Sequence, residues 1–301
     1  MSNENTALTD LSDALANAVE KASASIVTVS ARRRIPATGI VWSADGVIVT
    51  TDHVIEREEN ITVTLPDGSE VAATIAGRDP GSDIAVLRVA KTGLTPIAHG
   101  AAAKIGHLVL ALGRPAAGEP MASFGVVSTV GGAWRTFRGG EVDGYLRSDT
   151  TFYPGFSGGP LVNGAGETVG LNSSRLGRGA GLTVPIAAVA GIVEQLLKGG
   201  RIKRGYLGIG SQAVKLPAAA AAKAAGQETG LLVVGVEADS PAEQGGILLG
   251  DILVSMAGTP LTETDDLQGL LGPGAVGKPV AVAILRGGEP KELTVTVGER
   301  K

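Results

Sequence analysis

The sequence predicts a mostly β protein: two six-stranded β-barrels followed by a small α+β unit. Three observations predict it. Apolar and β-branched residues fall in short runs, 45 glycines punctuate them, and before residue 199 only 9–23 and 185–198 carry a helical period. The glycines follow no collagen-like repeat, so they read as turns between strands. A chain of 301 residues, 44% of them hydrophobic, is long enough for one large and one small domain.

Leu11, Leu15 and Val19 are spaced four apart, with Ala14 and Ala18 beside them, so residues 9–23 read as an amphipathic helix packed on its own domain. From Ser25 the period changes to that of strands. Ile26–Val29, Gly39–Trp42, Val47–Thr50, Ile61–Leu65, Glu70–Thr74 and Ile84–Val89 form a first set of six. Ser43-Ala44-Asp45-Gly46 and Pro66-Asp67-Gly68 supply turns between them. A second six follows: Leu108–Leu112, Ala122–Val130, Tyr145–Ser148, Leu161–Asn163, Thr168–Asn172 and Gly181–Val184. Two sets of six short antiparallel strands suggest two barrels with a cleft between them. Pro185–Lys198 is a helix stopped by Gly199-Gly200.

The expected domains are an N-terminal helical segment at 1–24, the double barrel at 25–198, a basic linker at 199–204 and a C-terminal unit at 205–301. In that last unit Gly230–Val234 is a strand. Ser240-Pro241-Ala242-Glu243 starts a helix with a serine N-cap and proline at its first position. Asp266–Leu271 is a second short helix, and residues 280–297 form a closing hairpin about Gly287-Gly288. Residues 217–225 are alanine-rich and read as a solvated helix.

Composition excludes several functions. Cysteine is absent, which removes disulfides, thiol nucleophiles and thiolate metal ligands. Net charge is −4, so no overall basic field draws in nucleic acid. No run approaches the ~18–20 apolar residues that span a bilayer. Met1 to Asp10 carries acids where a signal peptide has lysines, so a cytoplasmic location is expected, or a periplasmic one if a leader has been removed. His99 and His107 have neither a cysteine nor a matching acid beside them and read as ordinary loop or strand residues. No metal and no cofactor are expected.

Chemistry concentrates in Tyr153-Pro154-Gly155-Phe156-Ser157-Gly158-Gly159-Pro160-Leu161. A serine among glycines offers a hydroxyl beside bare backbone N–H groups, the combination that acyl transfer needs. Upstream, Thr50-Thr51-Asp52-His53-Val54 supplies a histidine and Gly81-Ser82-Asp83-Ile84 an aspartate. The order His53, Asp83, Ser157 is that of chymotrypsin-type enzymes. Asp52 reads as the N-cap of a short helix beginning there.

These blocks resemble the HtrA/Deg family of trypsin-like serine proteases with one PDZ domain, over roughly Leu15 to Val297. Val49–Val54 resembles V-T-N-x-H-V, Asp79–Leu87 resembles D-x-x-x-D-[IL]-A-[VL]-[LI], and Pro154–Leu161 resembles P-G-N-S-G-G-P-L. Arg204–Ile209, Ser240-Pro241-Ala242 and Gly250–Leu253 resemble the family's PDZ signature. The resemblance implies a chymotrypsin-like double barrel and an ATP-independent serine endopeptidase acting on unfolded or C-terminally recognised proteins. Catalytic roles would fall to Ser157 as nucleophile, His53 as base and Asp83 as its orienting acid. Gly155, Phe156 and Ser157 would form the oxyanion loop, with the N–H groups of Gly155 and Ser157 as donors.

The resemblance also implies substrate contacts. Thr151 and Phe152 would line a specificity pocket for a small apolar residue, and Asn172, Ser173 and Ser174 would pair with an extended substrate. Tyr206, Leu207, Gly208 and Ile209 would hold the C-terminal carboxylate of an apolar peptide. Polypeptides are the expected partners, and family members are commonly trimeric. Departures from the pattern are Thr51, Tyr153 and Phe156, where the family carries Asn. Two aromatic rings are therefore expected to crowd the oxyanion loop. That crowding motivates an alternative: a peptide-binding chaperone or adaptor with its protease site closed. Phe156 also rules against activation through an ion pair to a freshly cut N-terminus.

Overall fold

The computed structural model describes residues 2–116, 118–136, 139–177 and 181–299. The chain divides into two compact units, Met1–Ile202 and Lys203–Lys301.

The first unit begins with α1, Ser2–Ser23, which is longer at its start than the expected 9–23. Ala18 and Ala22 are buried, and Leu15 and Val19 pack with them against Ile26, Leu110, Leu112 and Val162. Leu11 lies on the same spacing but remains exposed. Next come β1 (Ile26–Ser30), β2 (Ala37–Ser43), β3 (Val47–Thr50), β4 (Ile61–Thr64), β5 (Glu70–Asp79) and β6 (Ile84–Val89). They close in the order β1-β2-β3-β6-β5-β4, with β4 pairing back onto β1. Val27, Val29, Val41, Ile48, Ile61, Val63 and Leu87 fill this barrel.

The second barrel uses β7 (Leu108–Gly113), β8 (Met121–Gly131), β11 (Tyr145–Ser148), β12 (Pro160–Asn163), β13 (Thr168–Ser173) and β14 (Leu182–Pro185). Its order is β11-β14-β13-β12-β7-β8, and β8 pairs β11 to close it. Between β8 and β11 lies a short ladder of β9 (Trp134–Arg135) and β10 (Glu141–Val142) that the apolar pattern did not announce. Residues of both barrels share one core with α2 (Ile186–Gly199): Ile40, Val49 and Val86 meet Leu171, Val184, Val189 and Leu196 there. Alternation explains the sharing, because β3 and β6 point one face into their own barrel and the other towards this core. The basic stretch after α2 reads in the sequence as a linker, poor in apolar residues. Ile202 instead packs on the same core.

The second unit opens with β15 (Gly205–Tyr206), which pairs with the final β22 (Gly298–Glu299). Its main sheet runs β16 (Ile209–Lys215), β17 (Thr229–Val236), β18 (Ile252–Met256), β20 (Pro279–Arg286) and β21 (Glu289–Thr296), with β19 (Thr259–Pro260) paired to β18. Three helices accompany it: α3 (Ala218–Lys223), α4 (Pro241–Gln244) and α5 (Thr264–Leu270). Ser240 caps α4 by accepting from the Glu243 N–H at 3.2 Å. Ala220 and Ala221 of α3 pack on Leu216 and Val254, so that helix is anchored on one side. Among the described residues, no helix is long and apolar enough to cross a membrane.

Candidate active site

His53 stands in a 3-10 turn, Asp52–Val54, directly after β3. Asp83 stands directly before β6, the strand that pairs with β3 from Val47 to Thr50. The register therefore brings the two residues together. His53 Nδ1 lies 2.8 Å from Asp83 Oδ2 and 3.0 Å from Oδ1, and the His53 backbone N–H donates to Oδ1 at 3.0 Å. With both carboxylate oxygens on Nδ1, the proton belongs on Nδ1 and Nε2 keeps its lone pair. Asp83 takes a left-handed φ of 59°, a conformation uncommon outside glycine but tolerated by Asp and Asn.

The loop that imposes this conformation is braced from several directions. Asp79 accepts from the N–H of Ser82 at 2.8 Å, and Thr136 Oγ1 donates to Gly81 O at 2.6 Å. The Asp52 N–H donates to Asp83 O at 3.1 Å. The Asp52 side chain does not cap the turn as expected. It is buried and accepts from Arg78 Nε at 2.6 Å, because the cation on β5 offers a stronger partner than a three-residue turn.

Ser157 lies on the loop entering β12. Tyr153 to Phe156 forms a turn closed by the Phe156 N–H on Tyr153 O at 3.0 Å, with Gly155 at φ 92°. A side chain on Gly155 would place its Cβ 2.4 Å from Pro115 Cβ, so glycine is required twice over. The turn consumes the Phe156 N–H. Among the described residues, the N–H groups of Gly155 and Ser157 donate to nothing.

Phe156 does not crowd this loop. Its ring is fully buried in the second barrel with Val127, Leu146 and Leu161, and Gly113 leaves room for it. Only Tyr153 is exposed, edge-on to Phe156 at 5.4 Å between ring centroids. The expectation of two rings over the loop is thus corrected: an apolar ring that can be buried in a core is buried.

Two sets of bonds hold the Ser157 loop. Gly158 N–H donates to Asn172 O at 2.9 Å, and Asn172 N–H donates to Gly159 O at 2.8 Å. From the first barrel, the Thr38 N–H donates to Ser157 O at 3.2 Å and Thr38 Oγ1 donates to Gly155 O at 2.7 Å. Thr38 carried no signal in the sequence, yet it ties β2 to the loop. Beside it, the buried Arg114 donates its backbone N–H to Thr38 Oγ1 at 2.8 Å, and burial lowers its guanidinium pKa from the usual range.

The Ser157 hydroxyl is 2.8 Å from Ser174 Oγ and accepts from the Ser174 N–H at 3.2 Å. No hydrogen bond joins it to His53 among the described residues.

The remaining expected residues divide by environment. Ser173 is buried and its hydroxyl donates to Asp83 Oδ2 at 2.5 Å, so its side chain supports the His53–Asp83 pair. Asn172 is fully buried, donating to Pro160 O at 2.9 Å and accepting from Thr183 at 2.7 Å, so its side chain lines no pocket either. Ser174 is exposed. Thr151 is exposed and its N–H donates to Ser123 Oγ at 2.7 Å, while the Phe152 ring is half-buried and lies over Gly181.

In the second unit, Leu207 is buried and Ile209 packs on the same core, while Gly208 turns the chain at φ 79°. Gly208 O accepts from the Glu237 N–H at 2.8 Å, and the Tyr206 hydroxyl bonds to the Glu237 carboxylate. β16 has one paired edge and stands at the margin of its sheet. His99 lies tilted against Trp42 with ring centroids 4.8 Å apart, where burial pushes its imidazole below the ordinary range, and His107 Nδ1 accepts from the Lys104 N–H at 3.2 Å.

Residues 37–171 match the family profile described as a trypsin-like peptidase domain, and residues 205–297 match that of a PDZ domain. Similar curated proteins include the probable periplasmic serine endoproteases described as DegP-like from Ectopseudomonas mendocina and Pseudomonas fluorescens. Each is 35% identical to this chain over 87% of its length and 56% of theirs. The chain thus spans about half the length of these relatives. Among solved structures, a serine endoprotease from Yersinia pestis matches with a TM-score of 0.77 at 30% identity, covering 95% of this chain and 98% of that one. The HtrA-type protease AlgW with a decapeptide matches with a TM-score of 0.74 at 26% identity, over 95% and 99%.

Proposed function

The chain belongs to the HtrA/DegP-like family of trypsin-like serine proteases with a C-terminal PDZ domain, and from that premise we propose that it is a serine endopeptidase using Ser157, His53 and Asp83. One observation carries the reading: both Asp83 oxygens hold His53 Nδ1, which leaves Nε2 basic and fixed in direction. Ser157 Oγ attacks the scissile carbonyl as Nε2 takes its proton. The tetrahedral oxygen is received by the N–H groups of Gly155 and Ser157, which have no other acceptor among the described residues. His53 then returns the proton to the leaving amine, and Asp83 stabilises the transient imidazolium. Water, activated by the same imidazole, releases the acyl group.

Thr151 and Phe152 would bound the pocket before the cut, and neither carries charge. A small apolar residue there is favoured over Lys or Arg, and a tryptic preference on a peptide library would remove this assignment. The loop Tyr206–Ile209 and the free edge of β16 would hold an apolar peptide C-terminus, with Leu207 and Ile209 beside its last side chain. A trimer, implied by the resemblance, belongs to the same proposal, and a monomeric mass by light scattering would remove it. The names of the curated relatives place them in the periplasm, so the cytoplasmic location expected from the N-terminal residues finds no support in them.

One observation favours a second reading, in which the site is closed at rest: the Ser157 hydroxyl contacts Ser174 instead of His53. Labelling with a fluorophosphonate probe separates the two. Labelling of the wild type, absent in Ser157→Ala and His53→Ala, supports the protease. Labelling that needs an added apolar C-terminal peptide supports a site closed at rest. No labelling under either condition, in a folded chain, supports the peptide-binding adaptor.

A further inference from the structure

In a chain of net charge −4, three consecutive arginines, Arg32, Arg33 and Arg34, stand in the loop between β1 and β2. Arg33 and Arg34 are exposed, and Ile35 beside them is 49% exposed. Arg32 donates from Nε to Ile35 O at 2.5 Å, which bends the segment back on itself. Among the described residues none of the three forms an ion pair. Arg57 adds a fourth cation, its guanidinium on Ser30 O at 2.9 Å. Of the nearby acids, Glu58 is engaged by Arg78 at 3.5 Å, and Glu56 meets this segment only through its backbone N–H on Ala31 O.

The position of the cluster gives it meaning. The next residue but one, Pro36, has its carbonyl oxygen 2.9 Å from where a Cβ on Gly155 would stand. Two residues further, Thr38 makes its two bonds to the Ser157 loop. Arg33 and Arg34 are therefore at most roughly 11 Å of backbone from Pro36, the residue that abuts the oxyanion loop. On the loop's other side runs the strand end Asn172–Ser174, whose Ser174 N–H reaches Ser157 Oγ. Under the proposed reading that strand end takes the acyl half of an extended substrate. On the same reading the half that leaves lies on the Pro36 side, towards the arginines.

We infer that Arg33 and Arg34, with Arg32 and Arg57 behind them, form a subsite for carboxylate side chains on the leaving-group side of the scissile bond. The chemistry is that of flexible guanidinium groups meeting carboxylates in solvent, so each pair contributes modestly and salt weakens it. The inference rests on the protease reading given above, and its test keeps the two apart.

Matched fluorogenic peptides would carry valine before the cut and Asp-Asp, Asn-Asn or Lys-Lys at the second and third positions after it. With the full chain at about 25 mM salt, the acidic peptide should have a kcat/KM roughly 10-fold above the neutral one, shrinking to about 2-fold near 500 mM. In Arg33→Glu/Arg34→Glu the order should reverse, with Lys-Lys preferred. Labelling by a small fluorophosphonate, which has no residues on that side, should proceed at the wild-type rate in the double variant. Equal cleavage of the three peptides by the wild type overturns the subsite, as does an acidic preference that survives the double variant. Failure of the wild type to label both with and without an added apolar C-terminal peptide overturns the protease reading itself, and the subsite with it.

Discussion

The two barrels prepare their halves of the site differently. On the proposed mechanism the first delivers an acid and a base already joined: Asp83 meets His53 through both oxygens, and Ser173 of the second barrel donates to it at 2.5 Å. The second delivers the proposed nucleophile, Ser157, bonded elsewhere at 2.8 Å from Ser174. A buried hydroxyl engages the acid, while an exposed residue engages the Ser157 hydroxyl. The difference teaches where control would act. A buried, multiply bonded pair costs too much to rearrange, whereas one solvent-facing hydroxyl contact exchanges readily.

Breaking either half outright gives the largest effect. Ser157→Ala should lower turnover by about 10⁶-fold. Asp83→Asn is the more informative variant on the first barrel. Asn tolerates the left-handed backbone at position 83, so the loop should keep its shape. The amide would hold the wrong imidazole tautomer, and turnover should fall about 10⁴-fold with unfolding behaviour near wild type. A loss below about tenfold would show that the pair is not the functional half of the site.

Much of this comparison was legible in the sequence, and the reason is local. Barrel strands announce themselves through β-branched runs ended by glycine turns, and His53, Asp83 and Ser157 each sit in a short motif. What could not be read depends on partners distant in the chain. Asp52 finds Arg78 across β5, and Ser173 finds Asp83 from 90 residues away. Asn172 and Ser173 sit in the stretch that the resemblance assigned to substrate, but their side chains are buried on opposite faces of β13, on Thr183 and Asp83. Phe156 was expected over the oxyanion loop because its motif position is known and its direction is not. Only packing against Gly113 and Leu161 decides that the ring is buried. The two-residue strands β9 and β10 are too short to carry any period.

The second barrel's half is tested next through its backbone. Gly155→Ala places a Cβ 2.4 Å from Pro115 Cβ and 2.9 Å from Pro36 O, at a φ of 92° that alanine avoids. The loop must shift, and its Gly155 N–H with it. Fluorophosphonate labelling should slow by roughly 10²–10³-fold, the worth of one oxyanion donor. Labelling at the wild-type rate would mean that the donor lies elsewhere.

A third carboxylate sharpens the contrast between a functional and a structural pair. Asp251 is buried in the second unit and accepts from Arg286 Nε and Nη2, each at 2.8 Å, and from the Leu248 N–H at 2.8 Å. Burial alone would raise its pKa. The hydrogen bonds from Arg286 and Leu248, with the charges of Arg286 and Lys291, outweigh that and hold it below the ordinary carboxylate range. Its folded pKa is thus below its unfolded one. The stability it contributes is complete above the unfolded value, about 3.9, and is lost as pH falls through the folded one. Asp251→Asn should speed hydrogen exchange in β17 and β20 of the intact chain by roughly 10–30-fold at neutral pH, with the gap closing in acid. Unchanged exchange would mean the pair is energetically idle, as many partly exposed pairs are.

The smallest effect bears most directly on how the halves differ. Ser174→Ala removes the hydroxyl at 2.8 Å from Ser157 and leaves the backbone N–H at 3.2 Å in place. If the hydroxyl holds Ser157 away from His53, its loss frees the nucleophile by about one hydrogen bond, and labelling should quicken about fivefold. Ser174→Thr keeps the hydroxyl and should label near the wild-type rate. A slower rate in the alanine variant would reverse the assignment, making Ser174 a group that orients Ser157 for attack. The sign of that one change decides whether the second barrel holds its nucleophile back or aims it.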